Sequence, residues 1–127
     1  HHPTEIKAVI NSAREVYKDR KIICVFQPHR YSRVKFLKNE FALSFKSSDT
    51  VVLCPVYSAG EKIKYNFSQN YFSELISKKS KIQVININNQ KELKNYFEKN
   101  LLNNEMVICM GAGSISNWIR EIGNELK

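Results

Sequence analysis

Apolar positions along this chain follow two alternating rhythms. Ile6, Val9, Ile10, Ala13, Val16 and Tyr17 recur at helical spacing and predict a first helix, with Thr4 as its N-cap after Pro3. Lys21 to Phe26 (KIICVF) is a short, almost wholly apolar run, which predicts a strand buried on both faces. Val34, Leu37, Phe41 and Phe45 restore helical spacing, and Ser47-Ser48-Asp49 closes that helix. Thr50 to Cys54 (TVVLC) predicts a second buried strand. Ile63 to Phe67 fits either a lid or a short extended piece. A third helix is predicted from about Ser68, with Tyr71, Phe72, Leu75 and Ile76 on one face. Lys81 to Ile87 alternates only partly, which places a third strand nearer the sheet edge. Asn88-Asn89 opens a fourth helix carrying Leu93, Tyr96, Phe97 and Leu101. After the Asn103-Asn104 turn, Glu105 to Met110 predicts a fourth strand. Gly111 to Ser114 then leads into a last helix with Ile115, Trp118, Ile119, Ile122 and Leu126. The aromatic positions Tyr71, Phe72 and Trp118 read as core. Strands separated by helical crossovers run parallel. The fold class expected is α/β: one three-layer αβα, Rossmann-like domain with a mostly parallel sheet, spanning residues 1–127.

Composition narrows the classes. With 127 residues, 43% hydrophobic and 25% charged, the chain fits one globular domain. No apolar run approaches the roughly 20 residues that span a bilayer, so no membrane insertion is expected. No signal-peptide pattern precedes the first helix. The formal net charge is +8, but lysine is scattered along helix faces with asparagine between. No basic block is interleaved with aromatics, so no nucleic-acid partner is expected, and the charge suits small anionic substrates. The three cysteines, Cys24, Cys54 and Cys109, each sit in a strand-like run. They read as small buried hydrophobes in a reducing, cytoplasmic setting. No C-x-x-C pair points to a metal site, and none is expected.

The chemistry gathers in three loops after strands. Gln27-Pro28-His29-Arg30-Tyr31-Ser32-Arg33 holds two guanidiniums and an imidazole. Guanidiniums match carboxylate and phosphate oxygens, and histidine moves a proton near neutral pH. A solvated basic turn would carry the same residues. Pro55 to Lys62 adds Tyr57 and Glu61, and Gly111-Ala112-Gly113-Ser114 adds backbone amides at a helix start. Ligands of open α/β sheets bind at the carboxyl ends of strands. The G-x-G turn lacks the third glycine of a dinucleotide fingerprint, since Ser116 stands there, and NAD is not expected. No G-K-[ST] phosphate loop occurs, so any ATP grip lies outside this chain. Tyr31, Ser32 and Ser58 read as hydrogen-bonding groups rather than nucleophiles.

Four stretches together carry a resemblance: His1-His2-Pro3-Thr4-Glu5-Ile6, Phe26–Arg33 (FQPHRYSR), Val56–Glu61 (VYSAGE) and Met110–Ile115 (MGAGSI). In order along the whole chain, they resemble the C-terminal domain of the alanine-adding Mur ligases of bacterial peptidoglycan synthesis. The resemblance argues against a tag origin for His1-His2. It implies a cytoplasmic, ATP- and Mg2+-dependent ligase. ATP phosphorylates the carboxylate of UDP-N-acetylmuramate, and the amine of L-alanine attacks the acyl phosphate and expels phosphate. The expected partners are those two substrates and the enzyme's own N-terminal UDP-binding and central ATP-binding domains, both absent from this chain. The fragment alone is expected to be inactive. His29 and Arg30 would be catalytic. Arg33 would hold the L-alanine carboxylate. Tyr57, Glu61, Gly111 and Gly113 would border the substrates, and His2 would lie by the nucleotide. No metal ligand is assigned in this chain. The related muropeptide-recycling ligases, and a stand-alone nucleotide- or phosphosugar-binding domain, are the alternatives.

Overall fold

A computed structural model describes residues 2–62, 67–102, 104–111 and 113–125. Of the expectations above, those on His1, residues 63–66, Asn103, Ala112 and Leu126 fall outside the described residues.

Among the described residues, nine elements alternate as the two rhythms predict. They are α1 (Pro3–Val16), β1 (Ile22–Gln27), α2 (Tyr31–Ala42), β2 (Thr50–Leu53), α3 (Gln69–Ser80), β3 (Gln83–Asn86), α4 (Gln90–Asn100), β4 (Met106–Gly111) and α5 (Ser114–Glu125). The strands form one four-stranded sheet in the order β3-β2-β1-β4, and every pairing is parallel. All six residues of β1 are buried, as a central strand requires, and β3 is an edge strand as its weak alternation predicts.

Two apolar layers close the sheet. On one face Ile6 and Ile10 of α1, Phe41 of α2, and Phe72 and Ile76 of α3 pack on Cys24, Phe26, Val51 and Leu53. On the other, Leu93, Tyr96 and Phe97 of α4 and Ile115 and Ile122 of α5 pack on Ile23, Val25 and Val52. The result is the three-layer αβα arrangement. β1 is flanked by β2 on one side and β4 on the other, and the chain changes faces there. That is the switch point at which open α/β sheets form a crevice beyond their carboxyl ends.

Several expectations change. His2, not Thr4, caps α1: its Nδ1 accepts the Thr4 amide at 3.1 Å, with Pro3 opening the helix. Val9 and Val16 are 46% and 71% exposed, because α1 reaches the core through Ile6 and Ile10. Helix α2 begins at Tyr31, so Tyr31, Ser32 and Arg33 belong to its first turn and not to the loop. Tyr71 is 56% exposed, its ring under the Lys38 ammonium, while its neighbour Phe72 is buried. Cys24 and Cys54 are buried, but Cys109 is exposed, since β4 is the other edge of the sheet.

The end of the sheet away from the crevice is held by Arg14. Its Nε donates to Ser47 O (2.9 Å), Nη1 to Arg20 O (2.9 Å) and Nη2 to Asp49 Oδ2 (2.7 Å). Asp49 also accepts the Ile22 amide at 2.8 Å. Partial burial pushes the Asp49 carboxyl up, but the Ile22 amide and Arg14 outweigh it and hold its pKa below the ordinary value. Arg14→Ala removes the donor from the Ser47, Lys18 and Arg20 carbonyls and leaves Asp49 with the Ile22 amide, at a partly exposed site. The expected loss is about 1–3 kcal/mol in urea unfolding. A carboxylate with a lowered folded pKa stabilises above its unfolded value near 4, and that contribution is lost as pH falls through the folded value. The variant's stability should therefore fall less steeply with acid than the parent's.

Candidate functional site

The site is built at the carboxyl end of β1. The strand ends at Gln27, Pro28 is buried behind it, and the chain turns through His29 and Arg30 into α2. His29 bridges Tyr57 in parallel register, so the β1–β2 ladder continues past the sheet proper. Tyr57 N donates to Pro28 O at 2.9 Å, and Arg30 N donates to Tyr57 O at 2.8 Å. The two rings stack with centroids 5.8 Å apart and planes inclined by 23°.

Arg30 has φ 69° and ψ 132°, a left-handed φ that few non-glycine residues adopt. Such a residue costs about 1–3 kcal/mol and persists where surrounding bonds over-determine it, commonly at ligand sites. Here its amide bond to Tyr57 and the α2 start fix it. The strain turns Arg30 outward, where it is exposed, and sends Arg33 into the first turn of α2.

Arg30 supplies no side-chain cap to α2. Glu61 reaches in from the loop after β2 instead. Its Oε1 accepts the Tyr31 amide at 2.6 Å and the Ser32 amide at 3.3 Å, and its Oε2 accepts the Ser32 hydroxyl. The Ser32 hydroxyl is the largest influence holding the Glu61 pKa below the ordinary value; the two amides and Arg30 add to it. The carboxylate thus occupies the positive end of α2. It places Glu61 beside the cationic loop as a brace.

His29 titrates below the ordinary imidazole value. Partial burial is the main cause, followed by the positive charges of Arg33 and Arg30, with Glu61 opposing them. Both guanidiniums therefore act on one neutral imidazole.

The third side of the crevice is the β4–α5 turn. Gly111 pairs with Gln27 in register, and a Cβ there would lie 2.7 Å from Gln27 O. Gly113 lies at φ +86°, and a Cβ on it would overlap the Tyr57 ring. The turn, Tyr57 and His29 are consequently in one contact series. His2 lies at the start of α1, its Nδ1 already occupied by the Thr4 amide. The structure thus brings together His29, Arg30, Arg33, Tyr57, Glu61, Gly111 and Gly113, while His2 belongs to a separate element. Two residues beyond the seven emerge as partners of the same crevice. Gln27 and Ser114 are bonded to each other at 2.9 Å. The signal for the first was an amide side chain ending an otherwise apolar run.

Among the described residues, no three His, Cys, Asp or Glu side chains converge as ligands for a metal ion. Among the described residues, no helix is long and apolar enough to cross a membrane.

Guanidiniums, an imidazole and a glycine turn thus meet at the switch point of a parallel αβα sheet. Residues 1–113 match the family described as Mur ligase, glutamate ligase domain. The chain belongs to this family, as a Mur ligase C-terminal domain. It is 48% identical over 122 residues to the UDP-N-acetylmuramate–L-alanine ligase of Pelagibacter ubique, covering 96% of this chain and 26% of that protein. The crystal structure of UDP-N-acetylmuramate-alanine ligase from Thermotoga maritima superposes with TM-score 0.74 at 25% identity, over 99% of this chain and 25% of that one. A murein peptide ligase from Psychrobacter arcticus shares the fold at TM-score 0.75 and 13% identity, over 99% of this chain and 26% of that one. The chain spans about a quarter of the length of these relatives.

Proposed function

We propose that this chain is the C-terminal domain of a bacterial cytoplasmic ligase that joins L-alanine to the carboxylate of UDP-N-acetylmuramate. The observation that carries the reading is the switch-point lip, where His29 is bridged to and stacked on Tyr57 and Arg30 and Arg33 follow at the start of α2. The 48% identity to a UDP-N-acetylmuramate–L-alanine ligase supports L-alanine as the amino acid.

In the reaction, the substrate carboxylate takes the γ-phosphoryl group of ATP and releases ADP. The L-alanine amine then attacks the carbonyl carbon of the acyl phosphate, and inorganic phosphate leaves. The amino acid arrives mostly as an ammonium carboxylate, so it must be held by its carboxylate and stripped of a proton. Arg33 holds the carboxylate through paired donors. His29, neutral near pH 7, accepts the ammonium proton. Arg30 balances phosphate charge. Tyr57, Gly111 and Gly113 wall the pocket, Glu61 braces it, and the free edge of His2 faces the nucleotide. Mg2+ and ATP would be bound mainly by the central domain, outside this chain. Bringing two anions and an amine into reacting geometry removes up to about 7–11 kcal/mol of barrier in well-oriented systems. Domain closure supplies that geometry and excludes water from the acyl phosphate.

The full-length polypeptide, given UDP-N-acetylmuramate, L-alanine and ATP, should release phosphate and UDP-N-acetylmuramoyl-L-alanine, and this fragment alone should give no turnover. Tight, specific binding of a UDP-sugar or nucleotide by the fragment in a thermal shift assay would instead support a stand-alone binding domain.

A further inference from the structure

Gln27 is the last residue of β1, at the strand-order switch between β1 and β4, and is only 2% exposed. Its one planar amide serves three segments. Nε2 donates to Pro55 O at 3.3 Å, after β2, and to Ser114 Oγ at 2.9 Å, in the first turn of α5. Oε1 accepts the Ile115 amide at 3.0 Å. Gly111, its register partner, lies close enough that any Cβ would meet the Gln27 backbone. A buried polar head must be satisfied, and here donor and acceptor are both used. Glutamate of the same length would keep the bond from Ile115 but set a carboxylate against the Pro55 carbonyl. An apolar isostere would lose all three bonds.

The three segments so tied carry the walls of the proposed pocket: His29 and Arg30 follow Gln27, Tyr57 follows Pro55, and Gly113 precedes Ser114. We propose that Gln27 is a positioning residue, which sets the separation between the His29–Arg30 lip and the β4–α5 turn and hence the width of the amino-acid subsite. This rests on the ligase reading above. It acts through other residues and touches no substrate.

The test uses the full-length enzyme with Gln27→Met and Gln27→Glu. At pH 8 both should raise the KM for L-alanine about tenfold, since Gln27→Glu loses two buried hydrogen bonds and Gln27→Met all three. The KM values for ATP and the UDP-sugar should stay within about twofold, since those substrates would bind mainly on the other domains. As pH falls from 8 to 6, Gln27→Glu should recover toward the parent measured at the same pH, because a protonated carboxyl regains a donor, while Gln27→Met should not. Hydrogen exchange of the Ile115 amide should quicken about tenfold in Gln27→Met, with the β-strand amides unchanged. An unaltered alanine KM with unaltered Ile115 exchange overturns the proposal. So does an equal rise in all three KM values with exchange quickened throughout the domain, the mark of a merely structural residue. Failure of the parent enzyme to ligate any amino acid would sink the ligase reading. The exchange experiment would still decide Gln27: a local change supports the tie between the loops, and a global change or none overturns it.

Discussion

Arg33→Ala in the full-length enzyme is expected to raise the KM for L-alanine by roughly 10- to 100-fold, the loss of about 1.5–3 kcal/mol that a charge-assisted hydrogen-bonded pair contributes. The KM for ATP should be little changed. Arg33→Lys should fall between, because it keeps the charge but loses the paired donors. The position supports a carboxylate role. Arg33 stands on the first turn of α2, one turn past the left-handed Arg30, and its charge is felt at His29. That coupling gives a second readout. Burial and the two guanidiniums keep the His29 pKa low, burial being the larger cause. Removing Arg33 takes away one positive neighbour, so the His29 pKa should rise part of the way toward the ordinary imidazole value. With neutral His29 as the proposed proton acceptor, the acid limb of the rate profile should move to higher pH in the variant. NMR titration of the imidazole checks the direction. An unchanged alanine KM would remove Arg33 from the carboxylate, and an unmoved His29 titration would mean that the two charges do not communicate.

How much of this was legible in the sequence depended on how local each signal was. The β1 run predicted a strand buried on both faces, and all of it is buried, because an unbroken apolar run has no solvent side to offer. The starts of α3 and α4 were legible because their signals are local, and Ser68 and Asn89 prove to accept amides three residues on. The start of α2 was not. Its cap is Glu61, some 30 residues away from Tyr31, and no local spacing announces a cap from another loop. The inside of β4 was misread through strand order. Cys109 sits in a run as apolar as that of Cys24, yet β4 is an edge strand and Cys109 is exposed. Periodicity reports which faces of a strand are apolar, not which neighbours the strand has. The candidate site divided along the same line. The guanidiniums and imidazole announced their chemistry by residue type, whereas the bond from Ile115 to Gln27 joins positions 88 apart. Only the fold could bring those together.

Gly113→Ala should cost activity out of proportion to stability, and Gly60→Ala separates the two. Both glycines have nearly the same left-handed φ, +88° at Gly60 and +86° at Gly113. An alanine at either place therefore carries a comparable backbone cost, about 1–2 kcal/mol. The surroundings differ. A Cβ on Gly60 meets nothing within 4 Å, whereas a Cβ on Gly113 lands on the Tyr57 ring. Tyr57 is 39% exposed, so its ring can swing toward solvent, and the fold need not fail. Its backbone cannot follow easily, because it is bonded to Pro28 and Arg30. The ring would then leave the face of His29, and the pocket wall between the β4–α5 turn and the imidazole would open. A displacement of about 1 Å at a reacting geometry costs on the order of 100-fold in rate. Gly113→Ala is accordingly expected to lower kcat/KM for L-alanine by about that factor, with a thermal midpoint close to that of Gly60→Ala, whose kcat/KM should stay within a few-fold of the parent. Equal activities in the two variants would show that the Tyr57 ring does not shape the pocket. A much lower midpoint for Gly113→Ala would show instead that the ring cannot yield and that the turn is part of the core.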